Sequence, residues 1–246
     1  MPRPIDVAKL RAESLDMVDR GVISPRRLML LYIAIQLLCN LLTLLFPSYF
    51  NADGTVQFSF ASLFFSLFLQ VLSVGFSMSC LHVHRGGELA YSSLFDAFPF
   101  AGRAVLLTVF TGVVTAVGGM LFVVPGLVAA CAYSMAPLYL ADDPSLGAFG
   151  AMRASRQAMN GFKMTYVSLL FSFLPLIVLK AGVTILSQYL GFLLPAGTMG
   201  DFSYVLLSTA ANGAVSYFLL PRWALCCAGF YRRLQEELDD APQLPL

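Results

Sequence analysis

The sequence predicts an all-α fold, a polytopic bundle of six transmembrane helices with amphipathic helices on its cytoplasmic side. Three observations carry the prediction. Of 246 residues, 58% are hydrophobic and 12% charged, where a soluble domain has roughly 45–50% apolar and about 25% charged residues. Too little polar material remains to cover a water-facing surface. The chain also contains apolar runs long enough for a bilayer core of about 30 Å, which takes roughly 20 helical residues. Finally, all but one of the 15 lysines and arginines fall on one side of those runs.

The N-terminal segment, residues 1–27, holds Arg3, Lys9, Arg11, Arg20, Arg26 and Arg27, and its stretch from Ile5 to Val18 has an amphipathic pattern. The first span is Leu28 to Phe46, closed by Pro47 and a short loop, Ser48 to Gln57. No small-residue cleavage site stands behind it, so it reads as a retained span and not a signal peptide. Phe58 to Leu81 is the second span, and Gly86 to Arg103 mixes apolar and acidic residues as an interfacial or re-entrant stretch does. From Ala104 to Ala141 no charge occurs, and at about 1.5 Å per residue that run would be roughly 57 Å of helix. It must therefore be two spans. The break belongs at Val124-Pro125-Gly126, because proline is accepted in a first helical turn and disfavoured later. The third and fourth spans are then 104–123 and 125–140.

Asp142-Asp143-Pro144 reads as a turn, with Ser145 as the N-cap of a helix over 145–160. At 100° per residue this helix gathers Ala148, Ala151, Met152, Ser155, Ala158 and Met159 on one side. Arg153, Arg156, Gln157 and Asn160 fall on the other. The fifth span is 164–189, kinked at Pro175, with Lys180 snorkelling to the far interface. The sixth is 202–220. Pro221-Arg222-Trp223 marks an interface, and a shorter apolar stretch reaches Tyr231, so the membrane domain is 28–231 and the tail 232–246.

Loops rich in lysine and arginine stay in the cytoplasm. The basic residues flank the even ends of the six spans, so both termini are expected there. A net charge of +1 offers no concentrated basic face for nucleic acid. The cysteines lie in or beside apolar runs, which argues against disulfides.

No catalytic constellation is visible, so no enzyme and no cofactor are expected. Asp142 and Asp143 are better explained by a turn and a cap than as paired acid and base. Cys80, His84, Cys226 and Cys227 are ligand types for zinc or copper. They are weak candidates: His82 would face away from Cys80 and His84 on a helix, and buried thiols with interfacial histidines account for the pattern. Gln36, Asn40, Gln70 and Asn212, the polar groups nearest mid-membrane, suit interhelical hydrogen bonds better than a transport route. Small residues at four-residue spacing, such as Thr111, Thr115 and Gly119, suit close helix packing. The partners these features fit are membrane lipids, another membrane protein or a second copy of the chain. Arg153 and Arg156, with Met152 and Met159 behind them, are the expected lipid- or partner-contact residues. A small-molecule or lipid transporter, with a cavity between the kinked fifth span and the Pro125 hairpin and with Pro137 and Pro175 supplying the broken helices, is the alternative function.

From Ser93-Leu94-Phe95-Asp96-Ala97-Phe98 and Arg103, through Val124-Pro125-Gly126 and Ala132-Tyr133-Ser134-Met135-Ala136, to Leu140-Ala141-Asp142-Asp143-Pro144 and Met152 to Lys163, the chain resembles a known family. It is similar to bacterial integral-membrane proteins of unknown function, the DUF975 type, and more distantly to YciC-like inner-membrane proteins. The resemblance implies a six-helix protein of the bacterial inner membrane and brings with it no catalytic or ligand residue.

Overall fold

The structure, a computed structural model, describes residues 6–19, 23–46, 49–50, 56–58, 60–121, 123–193 and 198–239. These are almost entirely helical, and five helices are long and apolar enough to cross a membrane. Helix α1, Val7–Met17, is capped by Asp6, whose carboxylate accepts from the Ala8 and Lys9 amides at 3.0 and 3.2 Å. Helix α2 is Pro25–Thr43, with proline in its first turn. Two short antiparallel strands, Tyr49–Phe50 and Val56–Phe58, follow in the expected loop. Their aromatic and β-branched residues suit extended backbone, and they are the one departure from all-α among the described residues. Helix α3 is Phe60–His84.

The segment after α3 makes two 3-10 turns, Tyr91–Phe95 and Phe98–Phe100. It folds back along α3 and buries Leu94 and Ala97. Gly75 permits this: a Cβ there would lie 2.1 Å from the Leu94 carbonyl oxygen. The interfacial stretch read from the sequence is thus fastened to the second long helix by a backbone approach that only glycine allows.

Helix α4, Ala101–Leu121, and helix α5, Val123–Tyr133, form a hairpin. Helix α5 begins at Val123, so Pro125 lies in its first turn, where proline costs no hydrogen bond. The backbones nearly touch at Gly126, where a Cβ would meet Gly119 Cα at 2.7 Å. The expected single helix over 125–140 is instead two, because the chain breaks at Ser134-Met135 and resumes as α6, Ala136–Asp142, with proline in its first turn.

Helix α7, Gly147–Ala158, begins after a 3-10 turn at Pro144–Leu146. Ser145 is not its cap: Asp143 accepts from the Ser145 amide at 2.9 Å, and Gly147 reverses the chain at a φ of +65°. Helix α8, Lys163–Leu193, runs through Pro175. Helix α9, Thr198–Asp239, does not stop near Leu220 but continues through Pro221 for 42 residues. Its later turns bury Leu225, Phe230, Tyr231 and Leu234, and that packing carries the helix past the basic residues read as its end.

The core is lopsided. Leu10 of α1, Phe76 and Cys80 of α3, Met135, Tyr166 and Phe173 of α8 and Tyr231 of α9 are packed together at the end where the basic side chains gather. The opposite half exposes Leu38, Val113, Val117, Met120, Leu186 and Leu207. There the helices are tied by polar contacts: Asn40 donates to Thr209 at 3.1 Å, Gln70 to Thr108 at 3.2 Å, and Thr184 to Asn212 at 2.7 Å. Lys180 does not simply reach for water; its ammonium donates to Ser216 of α9.

Gly75→Ala should destabilise the detergent-solubilised protein by about 1–3 kcal/mol, because neither backbone can give way to the methyl group. Gly102→Ala, where a Cβ meets open space, should be neutral or stabilising. Thermal unfolding followed by circular dichroism tests the pair.

Candidate functional site

At the basic end, α6 delivers Asp142 into a cluster of donors. One carboxylate oxygen accepts from Arg85 at 2.7 Å. The other accepts from the Tyr231 hydroxyl and the Gln235 amide, both at 3.1 Å, and Gln235 also donates to the Tyr231 oxygen at 2.8 Å. Burial acts to raise the Asp142 carboxyl, but hydrogen bonds from Arg85, Gln235 and Tyr231 and the Arg85 charge outweigh it and hold it below its ordinary value. Around this point Arg232 donates to the His84 carbonyl at 2.8 Å and Arg233 to Glu13 at 2.6 Å. Arg103, near the start of α4, donates to the Pro144 carbonyl at 2.6 Å, which brings the two ends of the α4–α5–α6 hairpin to one level.

Helix α7 lies against α4, α5 and α6. Its inner face is the one the wheel gives: Ala148, Ala151, Met152, Ser155 and Ala158 are buried, as is Met159 after it. Met152 and Met159 thus contact protein. The outer face carries Arg153 and Arg156, both exposed, together with exposed Leu146 and Phe149. Phe149 lies against Phe110 of α4, ring centroids 4.6 Å apart.

Two serines close the α5–α6 break. Helix ends leave carbonyls without partners; the Ser134 hydroxyl donates to the Cys131 carbonyl and the Ser155 hydroxyl of α7 to the Ala132 carbonyl, each at 2.8 Å. Beside the break lies a cavity of about 280 Å³. It touches α2, α3, α8 and α9, so it is more central than the expected space between the fifth span and the hairpin.

The cysteines and histidines go separate ways. His84 Nε2 donates to the Leu225 carbonyl at 2.8 Å, which fixes its tautomer. The His82 ring lies against Gly87, at the place a Cβ would occupy. Cys80 and Cys226 are buried and Cys227 partly so, all as free thiols. Among the described residues no three of His, Cys, Asp and Glu are grouped to hold a metal ion.

Residues 103–237 match the family described as protein of unknown function (DUF975). That is more than half of the chain. The chain belongs to the DUF975 family. No curated protein and no solved structure matches it. The DUF975 match runs from Arg103 through α4–α8 and nearly to the end of α9. Asp142, Tyr231, Gln235 and α7 lie inside it, whereas Arg85 comes from outside. In the sequence Asp142 reads as part of a turn; Tyr231 and Gln235 lie 89 and 93 residues away and Arg85 follows the end of α3, beyond any local pattern. The i, i+4 pair Tyr231 and Gln235 on one face of a helix was the available signal.

Asp142→Asn should lower stability at pH 7 by about 1–3 kcal/mol, the worth of a charge-assisted bond. The folded carboxyl titrates below its ordinary value of 3.8, so the wild type holds this contribution above that pH and loses it as pH falls further. The gap between wild type and variant, read from melting curves, should close under acid conditions and persist at neutral pH.

Proposed function

We propose that this is a non-enzymatic, six-span protein of the bacterial inner membrane, both termini cytoplasmic, that holds anionic lipid headgroups against its cytoplasmic face through α7. The supporting observation is the outer face of α7. Arg153 and Arg156 are exposed there, and among the described residues no carboxylate pairs with either. The two are neighbours at i, i+3, and exposed Leu146 and Phe149 supply apolar surface one to two turns away. Guanidinium beside apolar and aromatic side chains is the chemistry of a headgroup boundary.

Six crossings are supported by the hairpin. Helices α5 and α6, of 11 and 7 residues, are each too short alone, but residues 123–142 together reach about 30 Å at the helical rise. The Arg103 contact with Pro144 returns the chain to its starting level. With basic loops inside, the strand-bearing loop faces outward. The second reading, transport of a small molecule or lipid, draws on the cavity beside the broken helix, since irregular backbone at membrane depth is found where it lines a cavity.

Arg153→Gln with Arg156→Gln should cut co-purifying anionic phospholipid by roughly tenfold or more, at about 1 kcal/mol per arginine. Added salt should shrink the difference. Unchanged lipid with unchanged topology would remove the headgroup role. With native cysteines replaced, a cysteine at position 53 should label from outside intact cells, and cysteines at 88, 142 and 236 should not; labelling at 142 would reject six spans. Saturable solute flux in proteoliposomes would favour the transport reading.

A further inference from the structure

We infer that the cavity at the α5–α6 break is a binding site for a neutral, hydroxyl-bearing amphiphile with an aliphatic chain. It is independent of the headgroup reading for α7. Helices α2, α3, α8 and α9 and the break itself wall it, through Tyr32, Ser77, Ser134, Tyr166 and Trp223 among others. None of its lining residues is Lys, Arg, His, Asp or Glu. A charged ligand would lose its hydration with nothing in return.

The hydrogen-bonding complement is neutral. Ser73 and Ser77 donate their hydroxyl protons to the carbonyls of Gln70 and Ser73, at 2.7 and 3.0 Å, which leaves their oxygens as acceptors. Ser134 donates to the Cys131 carbonyl at 2.8 Å and is also hydrogen-bonded to the Tyr166 hydroxyl, which pairs with Cys227 as well. A ligand O–H answers the two serine acceptors, and Tyr32 and Trp223 carry the O–H and N–H donors for the ligand oxygen. Met29, Phe76, Leu138 and Leu220 make the rest of the wall apolar, which suits an aliphatic chain. At about 280 Å³ the space sits at the lower edge of ligand pockets, roughly 300–1,000 Å³; it takes part of a chain with its hydroxyl, not a whole phospholipid. Depth agrees. Tyr166 is one turn from Lys163, and Ser134 lies about 12 Å of helix from Asp142, so the serines stand at the level of the glycerol and upper chains of the leaflet at the basic end. Straightening the helix would pair the Ala132 carbonyl with the Ala136 amide, and Ser155 of α7 already donates to that carbonyl.

Trp223 is the one tryptophan in the chain, so its emission reports the cavity. The full chain in detergent is titrated with an ω-bromo long-chain alcohol, the matching ω-bromo carboxylate, a brominated monoacylglycerol and a brominated phosphatidylcholine. The expected result is saturable quenching by the alcohol, reversed by its unbrominated analogue, and none that saturates with the carboxylate. Saturation by the monoacylglycerol as well assigns the ligand to the bilayer; saturation by the alcohol alone assigns a soluble source. Ser77→Ala should weaken the alcohol about fivefold, and Ala224→Phe, which fills the space, should abolish saturation. Linear quenching unaffected by competitor would overturn the site, since Trp223 would then meet only bulk amphiphile. Equal saturation by the carboxylate or the phosphatidylcholine would overturn the ligand class. The Arg153→Gln, Arg156→Gln protein should quench like wild type, so the two proposals fail separately.

Discussion

A carbonyl left over at a helix end inside a lipid-facing bundle has no water to accept from, and must be met by protein. The break between Tyr133 and Ala136 creates such carbonyls, and their satisfaction organises what surrounds it. Ser134 turns back onto Cys131, and Ser155 reaches across from another helix to Ala132. Because Ser155 lies on the inner face of α7, that bond sets how deeply α7 docks and which residues it leaves outside. The same break lets α6 change course, brings Asp142 to Arg85, Tyr231 and Gln235, and leaves space beside the serines.

Packing on the two sides of this level follows different physics. Toward the basic end the molecule has an apolar interior with buried tyrosine, phenylalanine and leucine, as a water-soluble domain does. Toward the other end there is little burial, and Asn40, Gln70, Asn212 and Lys180 find hydroxyl partners on neighbouring helices. Lipid gives apolar side chains no reason to leave it, so side-chain hydrogen bonds and close backbone approach take over the task of association.

Most of the helices could be read directly, because an apolar run of span length has few other solutions. The face of α7 was legible for a different reason: alanine, methionine and serine at 3.6-residue spacing can be packed closely, and arginine beside them cannot. What escaped was non-local. Pro137 reads from sequence as a point where a helix is broken, and the structure makes it the first turn of a separate helix; a single span over 125–140 is what local pattern does not rule out. Asp142 looked like turn chemistry because its partners arrive from α3 and α9. Arg222 resembled the end of a span, yet the turns beyond it are buried against α1 and α3, and burial overrode the local signal. The cavity is a property of five helices at once, and no single stretch announces it.

The uninterrupted course of α9 makes it a mechanical element. Its 42 residues extend about 63 Å, roughly twice a bilayer's apolar thickness, and Pro221, which lacks a backbone N–H, stands between the apolar part and the part clamped to Glu13, the His84 carbonyl and Asp142. A helix that meets a thinner or thicker bilayer answers by changing its tilt. A change of tilt that is carried past Pro221 reaches the Arg233–Glu13 and Gln235–Asp142 contacts, and through them α1 and the α4–α5–α6 hairpin.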